Sequence, residues 1–313
     1  MREIKIRKTY EIDIRDTFIL PYQGKYYMYG TEGFGAFTGT PEGYMVYVSE
    51  DLENWDGPYT VFANDGTSWA NANYWAPEVY EIKGSFYLFS AWTDRDLTRG
   101  PQHAEDLSSQ KLCVLKSASP LGPFSILNGR LGEGNDPTLY QKDGRFYLVH
   151  NDGFTHMMVH ELSEDLSHFI SEPVEIFDKD DSNVTWSKGG PTEGACTFTT
   201  PSGKLLVLWS SFCEGHSEKF RKMGFEDMDY GTAIAFSNSG SIYGPYEQEN
   251  VMITPPNMGH VSLFRRFDGQ LMLAAHYPDD DNCELGCSYP VFFPVNYDEK
   301  NDTLRVDIKG TDL

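Results

Sequence analysis

Positive charge is scarce in this sequence: 25 Lys and Arg stand against 47 Asp and Glu, a formal net charge of −22 over 313 residues. Binding a phosphate backbone or an anionic lipid surface needs stripes of Lys and Arg, and none is present. Nucleic acid and membrane are therefore excluded as partners, and a neutral substrate is favoured. Long apolar runs are missing too, since no stretch approaches the roughly 18 consecutive apolar residues of a membrane-crossing helix. The opening MREIKIRKTYEIDI alternates charged and apolar residues without the apolar core of a secretory signal, so a cytoplasmic protein is expected. Cysteine is sparse: Cys113, Cys196, Cys213, Cys283 and Cys287 are scattered and odd in number. They read as thiols in a reducing compartment, although CELGC has a spacing that could serve a metal or a bridge. No long segment carries the 3.6-residue apolar period of a helix. Walker, HExxH, GxSxG and dinucleotide-binding signatures are absent.

What is present is a repeat. Five stretches, TFILPYQGKYYMYG, EVYEIKGSFYLFS, TLYQKDGRFYLVH, TFTTPSGKLLVLW and SLFRRFDGQLMLAA, each join two apolar runs through a glycine-bearing turn. The turn glycines Gly24, Gly84, Gly144, Gly203 and Gly269 are separated by 60, 60, 59 and 66 residues. Glycine accepts the positive φ of a tight hairpin turn. A third strand-like run follows each hairpin, for example GYMVYVSEDL, KLCVLKSAS and GTAIAFSNS. Five small antiparallel sheets of even spacing predict an all-β fold, a five-bladed β-propeller, because radial repetition protects strand edges. Without a linker or low-complexity tract, residues 1–313 read as one domain. The terminal DTLRVDI is expected to pair with the N-terminal EIKIRKTYEI and close the ring.

In a propeller the first strand of each blade lines the axis, so residues just before these strands cluster at one mouth. Eight residues before Gly24, Gly84 and Gly144 stand Asp16, Ala76 and Asp136; ten before Gly203 stands Glu193, and nine before Gly269 stands His260. Each acid alone is an ordinary turn residue. Their shared register is different, because three carboxylates converging in a confined space raise at least one pKa and are costly unless kept for chemistry. The loops joining the second and third strands must crown the same mouth, and they carry Phe34, Trp92, Phe154, Phe212, Phe220 and Tyr277, with Trp75 close by. Acids beside aromatic platforms suit sugar rings and point to glycoside hydrolysis.

On RDTFI, WAPEV, NDPTL, TEGA and GHVSL, in that order and blade spacing, the sequence resembles glycoside hydrolase family 43, the arabinofuranosidases, arabinanases and xylosidases. The resemblance implies an inverting mechanism with Asp16 as general base, Glu193 as general acid and Asp136 orienting the acid and tuning its pKa. Inversion places base and acid carboxyls about 6.5–9.5 Å apart, with water between them. Trp75 and Phe34 would contact the innermost sugar. His260 would lie in the channel, in similar enzymes sometimes beside a calcium ion; no cofactor is otherwise implied. The substrate expected is a plant-type oligo- or polysaccharide. Thr17 departs from the Asp-Pro that often follows the first-blade Arg, and no length remains for the β-sandwich many xylosidases append. α-L-Arabinofuranosidase is thus preferred over β-xylosidase or galactofuranosidase, and a non-catalytic carbohydrate-binding propeller is the alternative of another class. A retaining fructan hydrolase would carry NDP in blade one rather than blade three, and a phosphorylase would need more basic residues near the acids.

Overall fold

The computed structural model describes residues 6–32, 41–94, 109–216, 221, 228–279 and 288–308. Among the described residues, twenty-one strands form five antiparallel sheets arranged as a five-bladed propeller. Blade one holds β1 (Ile6–Lys8), β2 (Ile14–Tyr22), β3 (Lys25–Glu32), β4 (Gly43–Ser49) and β5 (Asn54–Ala63). Blade two holds β6 (Ala72–Ile82), β7 (Ser85–Thr93), β8 (Lys111–Ser117) and β9 (Ser125–Glu133). Blade three holds β10 (Asn135–Lys142), β11 (Arg145–Asn151), β12 (His156–Leu162) and β13 (Val174–Asp178). Blade four holds β14 (Glu193–Thr199), β15 (Leu205–Glu214), β16 (Met228–Ser237) and β17 (Glu247–Gln248). Blade five holds β18 (Gly259–Arg265), β19 (Leu271–Tyr277), β20 (Tyr289–Asp298) and β21 (Thr303–Val306).

The hairpins form where the repeat placed them. In blades two and three the two turn residues, Lys83-Gly84 and Asp143-Gly144, both have positive φ, the type I′ geometry whose twist matches the flanking strands. The second strands are apolar on both faces because each blade is sandwiched between two others. On β15, Leu205, Val207 and Trp209 enter the cluster shared with blade three, while Leu206 and Leu208 enter the one shared with blade five. Five such clusters fill the five gaps between blades. The inner strands β2, β6, β10, β14 and β18 succeed one another around the axis.

The ring closes differently from the sequence expectation. The strand β1 adds to the outer edge of blade one, with Arg7 opposite Trp55 on β5, and β21 completes blade five by pairing with β20. The N-terminal segment is held there by local bonds: Lys8 Nζ donates to Asn54 Oδ1 (2.6 Å), and Trp55 Nε1 donates to Thr9 Oγ1 (3.0 Å). Closure falls instead to the cluster of Ile14, Ile19 and Met28 with Phe264, Met272 and Ala274. Hydrogen bonds across the same seam reinforce it, among them Ile14 N–H to the Ser288 carbonyl (2.9 Å) and Ser262 Oγ to the Thr17 carbonyl (2.8 Å).

Candidate active site

Each inner strand breaks register near its start, between Arg15 and Phe18, Trp75 and Glu78, Asn135 and Thr138, Glu193 and Cys196, and Gly259 and Ser262. The bulge residue has left-handed φ in every blade: Asp16 51°, Ala76 44°, Asp136 51°, Gly194 59° and His260 47°. A bulge re-aims a side chain, and Asp and His are among the residues that tolerate this region. Three rings therefore descend the axis. The upper ring is Arg15, Trp75, Asn135, Glu193 and Gly259. The bulge ring follows, and below it come Phe18, Glu78, Thr138, Cys196 and Ser262.

This corrects the sequence register in blade four. Glu193 is equivalent to Arg15 and Trp75 in the upper ring, not to Asp16 and Asp136; the bulge position there belongs to Gly194. The longer turn of that hairpin hid the one-residue offset. Glycine stands at 194 for a steric reason, since a Cβ would lie 3.0 Å from Cγ of His260.

Asp16, Asp136 and His260 come together, exposing only 14%, 6% and 11% of their side chains. His260 Nδ1 lies 3.1 Å from Asp16 Oδ1 and 3.9 Å from Asp136 Oδ2. The other Asp16 oxygen accepts the Thr31 hydroxyl at 2.6 Å, and Thr31 Oγ1 in turn accepts the Ala76 N–H at 2.7 Å. The bulge N–H of Asp16 donates to His276 Nδ1 (3.3 Å), whose Nε2 faces Asp279 Oδ1 (3.2 Å), so the ring is neutral with its proton on Nε2. Burial lowers the His276 pKa in the same sense. Asp279 also holds Arg15 at 2.5 Å. Asp136 Oδ2 accepts the Gly194 N–H (3.2 Å) and faces the Asn151 amide (3.5 Å), and Glu193 Oε1 accepts the Tyr230 hydroxyl (2.7 Å).

The electrostatics separate the acids. Burial pushes the Asp16 carboxyl up, but the His260 charge and hydrogen bond outweigh it and hold the group well below the usual carboxylate range. Burial pushes Asp136 up to about 6 against the pull of His260. Glu193 is pushed up to about 8, by burial first and then by repulsion from Asp136. Burial disfavours charge on His260, yet Asp16 and Asp136 overcome it and raise this group to about 10. At neutral pH the pit thus presents an ionised Asp16, an imidazolium and a protonated Glu193, an acid and a base held apart by environment.

Trp75 is half-buried in the upper ring, one residue before the Ala76 bulge. Phe34 lies outside the described residues, as do Phe220, Cys283 and Cys287. Trp92, expected in the crown, is instead fully buried between blades one and two, because β7 runs on to Thr93 and its indole N–H donates to the Gly129 carbonyl (2.8 Å). Phe154 is exposed, and Phe212 meets Tyr230 edge-on. Sequence reasoning missed Glu78, Thr31, His276 and Tyr230. Glu78 left one trace, a lone acid two places past Ala76 in an otherwise apolar run; the other three lie on second and third strands and needed the register.

Among solved structures, an endo-arabinase from Bacteroides thetaiotaomicron superposes with TM-score 0.73 at 25% identity, covering 93% of this chain and 97% of that one. An endo-1,4-beta-xylanase from the same organism gives TM-score 0.70 at 21% identity, over 98% and 97%. An alpha-L-arabinofuranosidase from Lactobacillus brevis gives 0.70 at 15% identity, over 94% of each chain. No curated protein compared with the chain matches it. The profile of Glycosyl hydrolases family 43 matches residues 9–298, which include all five inner strands and the acids they carry, and the chain belongs to that family of glycoside hydrolases.

Proposed function

We propose that this hydrolase removes α-L-arabinofuranosyl units from plant-type oligo- or polysaccharides with inversion at the anomeric carbon. Asp16 is the general base. Its carboxylate takes a proton from water as the water oxygen bonds to the anomeric carbon and the glycosidic C–O bond breaks. Glu193 is the general acid, and its proton passes to the departing glycosidic oxygen. Asp136 orients the acid and keeps its proton in place through repulsion, while Trp75 offers an apolar face to the innermost sugar. The observation that carries this reading is the opposed environments of the two groups: His260 and Thr31 hold Asp16 ionised, and burial beside Asp136 holds Glu193 protonated.

Support for arabinose comes from likeness to the endo-arabinase and the arabinofuranosidase. The likeness to the xylanase keeps β-xyloside as the second reading. The test is hydrolysis of nitrophenyl α-L-arabinofuranoside, β-D-xyloside, β-D-galactofuranoside and β-D-fructofuranoside by the wild type and by Asp16→Asn and Glu193→Gln. The expected result is release from the arabinofuranoside, lost in both variants, with the inverted anomer as the first product seen by NMR. Turnover surviving either substitution, or a retained anomer, would refute the assignment of roles.

A further inference from the structure

The lower ring of the channel contains one charged residue type among neutral ones: Glu78, beside Phe18, Thr138, Cys196 and Ser262. It is 7% exposed. A buried carboxyl is destabilising unless its oxygens are hydrogen-bonded, and an apolar residue would pack this level of a propeller as well. Glu78 Oε2 accepts the Tyr80 hydroxyl from the same strand. That hydroxyl reaches across to blade three, where it accepts the Leu139 N–H (3.1 Å) and lies 3.0 Å from Thr138 Oγ1.

These contacts fall where blade three has no strand to help it. As an innermost strand, β10 has β11 on one side only, so its other edge presents backbone groups without a ladder partner. The Tyr80 hydroxyl satisfies one of them three residues past Asp136, immediately below the bulge. Asp136 itself holds a left-handed φ of 51°, a conformation that persists where the surroundings over-determine it. Thr138 and Leu139 are 4% and 8% exposed, so water cannot readily replace the lost partner.

We propose that Glu78 and Tyr80 are positioning residues for Asp136: Glu78 fixes the Tyr80 hydroxyl, which clamps β10 beneath the bulge and holds the Asp136 carboxylate against the Gly194 N–H and His260. The proposal rests on the reading of Asp136 as a group the reaction needs. Burial pushes Glu78 up to about 7, so a neutral carboxyl can fill this place at the acidic side of neutrality without adding charge beside Asp136.

The test is steady-state kinetics on the nitrophenyl substrate that the wild type cleaves, for Tyr80→Phe, Glu78→Ala, Glu78→Gln, Asp136→Asn and the double variant Tyr80→Phe/Asp136→Asn. Tyr80→Phe and Glu78→Ala are expected to lower kcat by about 10- to 100-fold with KM moving less than about threefold, because displacement rather than sugar contact is lost. Glu78→Gln, whose amide oxygen still accepts the tyrosine proton, is expected to recover most of that rate. In the Asp136→Asn background Tyr80→Phe is expected to cost less than about twofold, since both changes act through one group. A kcat unchanged in Tyr80→Phe, a Gln variant as slow as the Ala variant, or losses that multiply in the double variant would each overturn the clamp. Wild-type rate in Asp136→Asn alone would instead remove the reading of Asp136 on which the clamp stands.

Discussion

His260 is the group on which the electrostatics of the pit turn, and His260→Gln removes its charge while keeping a hydrogen-bonding side chain of similar reach. The imidazolium lies 3.1 Å from one aspartate oxygen and 3.9 Å from another. At an effective dielectric constant of about 20, such contacts are worth about 5 and 4 kcal/mol, or about 4 and 3 pKa units. Halving them for water at the mouth leaves about two units for Asp16 and about one and a half for Asp136. Asp16 starts far enough below neutrality to remain ionised. Asp136 starts at about 6, so its titration moves to about 7.5. Glu193, which His260 also pulls downward, moves up from about 8. The expected outcome is a kcat/KM–pH bell displaced bodily to higher pH, with a rate at pH 6 lowered by about 10- to 30-fold and partly recovered at pH 8. The assay is a pH series on the cleaved nitrophenyl glycoside. A variant bell that coincides with the wild type, however much lower, would refute the claim that His260 is the cation of the site.

Two further predictions concern stability. Glu193 has a folded-state pKa raised to about 8, so its contribution is fully present below the unfolded value near 4.5 and is lost as pH rises through 8; Glu193→Gln should raise Tm by several degrees at pH 8.5 and little at pH 5, and an equal shift at both pH values in calorimetry would contradict the buried, strained carboxylate. Trp92 is fully buried between blades, so Trp92→Ala should cost about 3–5 kcal/mol in urea unfolding while leaving KM unchanged in the folded fraction, whereas a raised KM would return this ring to the sugar site.

Much of this protein was legible because a propeller writes its architecture locally. Hairpin turns need residues that accept positive φ, and Gly84 and Gly144 marked them directly. The near-constant spacing then located the mouth of the channel, and with it Asp16, Asp136, Glu193 and His260. Ring closure was not legible, because DTLRVDI and EIKIRKTYEI are both plausible edge strands and their partners depend on which sheet edge is free. Trp92 belongs to β7 and not to the crown, which the apolar pattern does not reveal because it does not define a strand end to within two residues.

The five blades and the end of the channel where Asp16, Asp136, Glu193 and His260 gather were legible in the sequence, since turn chemistry and strand period are local. The environment of each acid, by contrast, was set by contacts between blades. One bulge residue moved Glu193 into the ring above Asp16 and Asp136, and contacts between blades set the charges: His260 reaches Asp16 and Asp136 across the axis, Thr31 links Asp16 to Ala76, and Tyr80 reaches from blade two to the backbone of blade three. Desolvation and charge proximity depend on distances between residues far apart in the chain, and no local pattern encodes them.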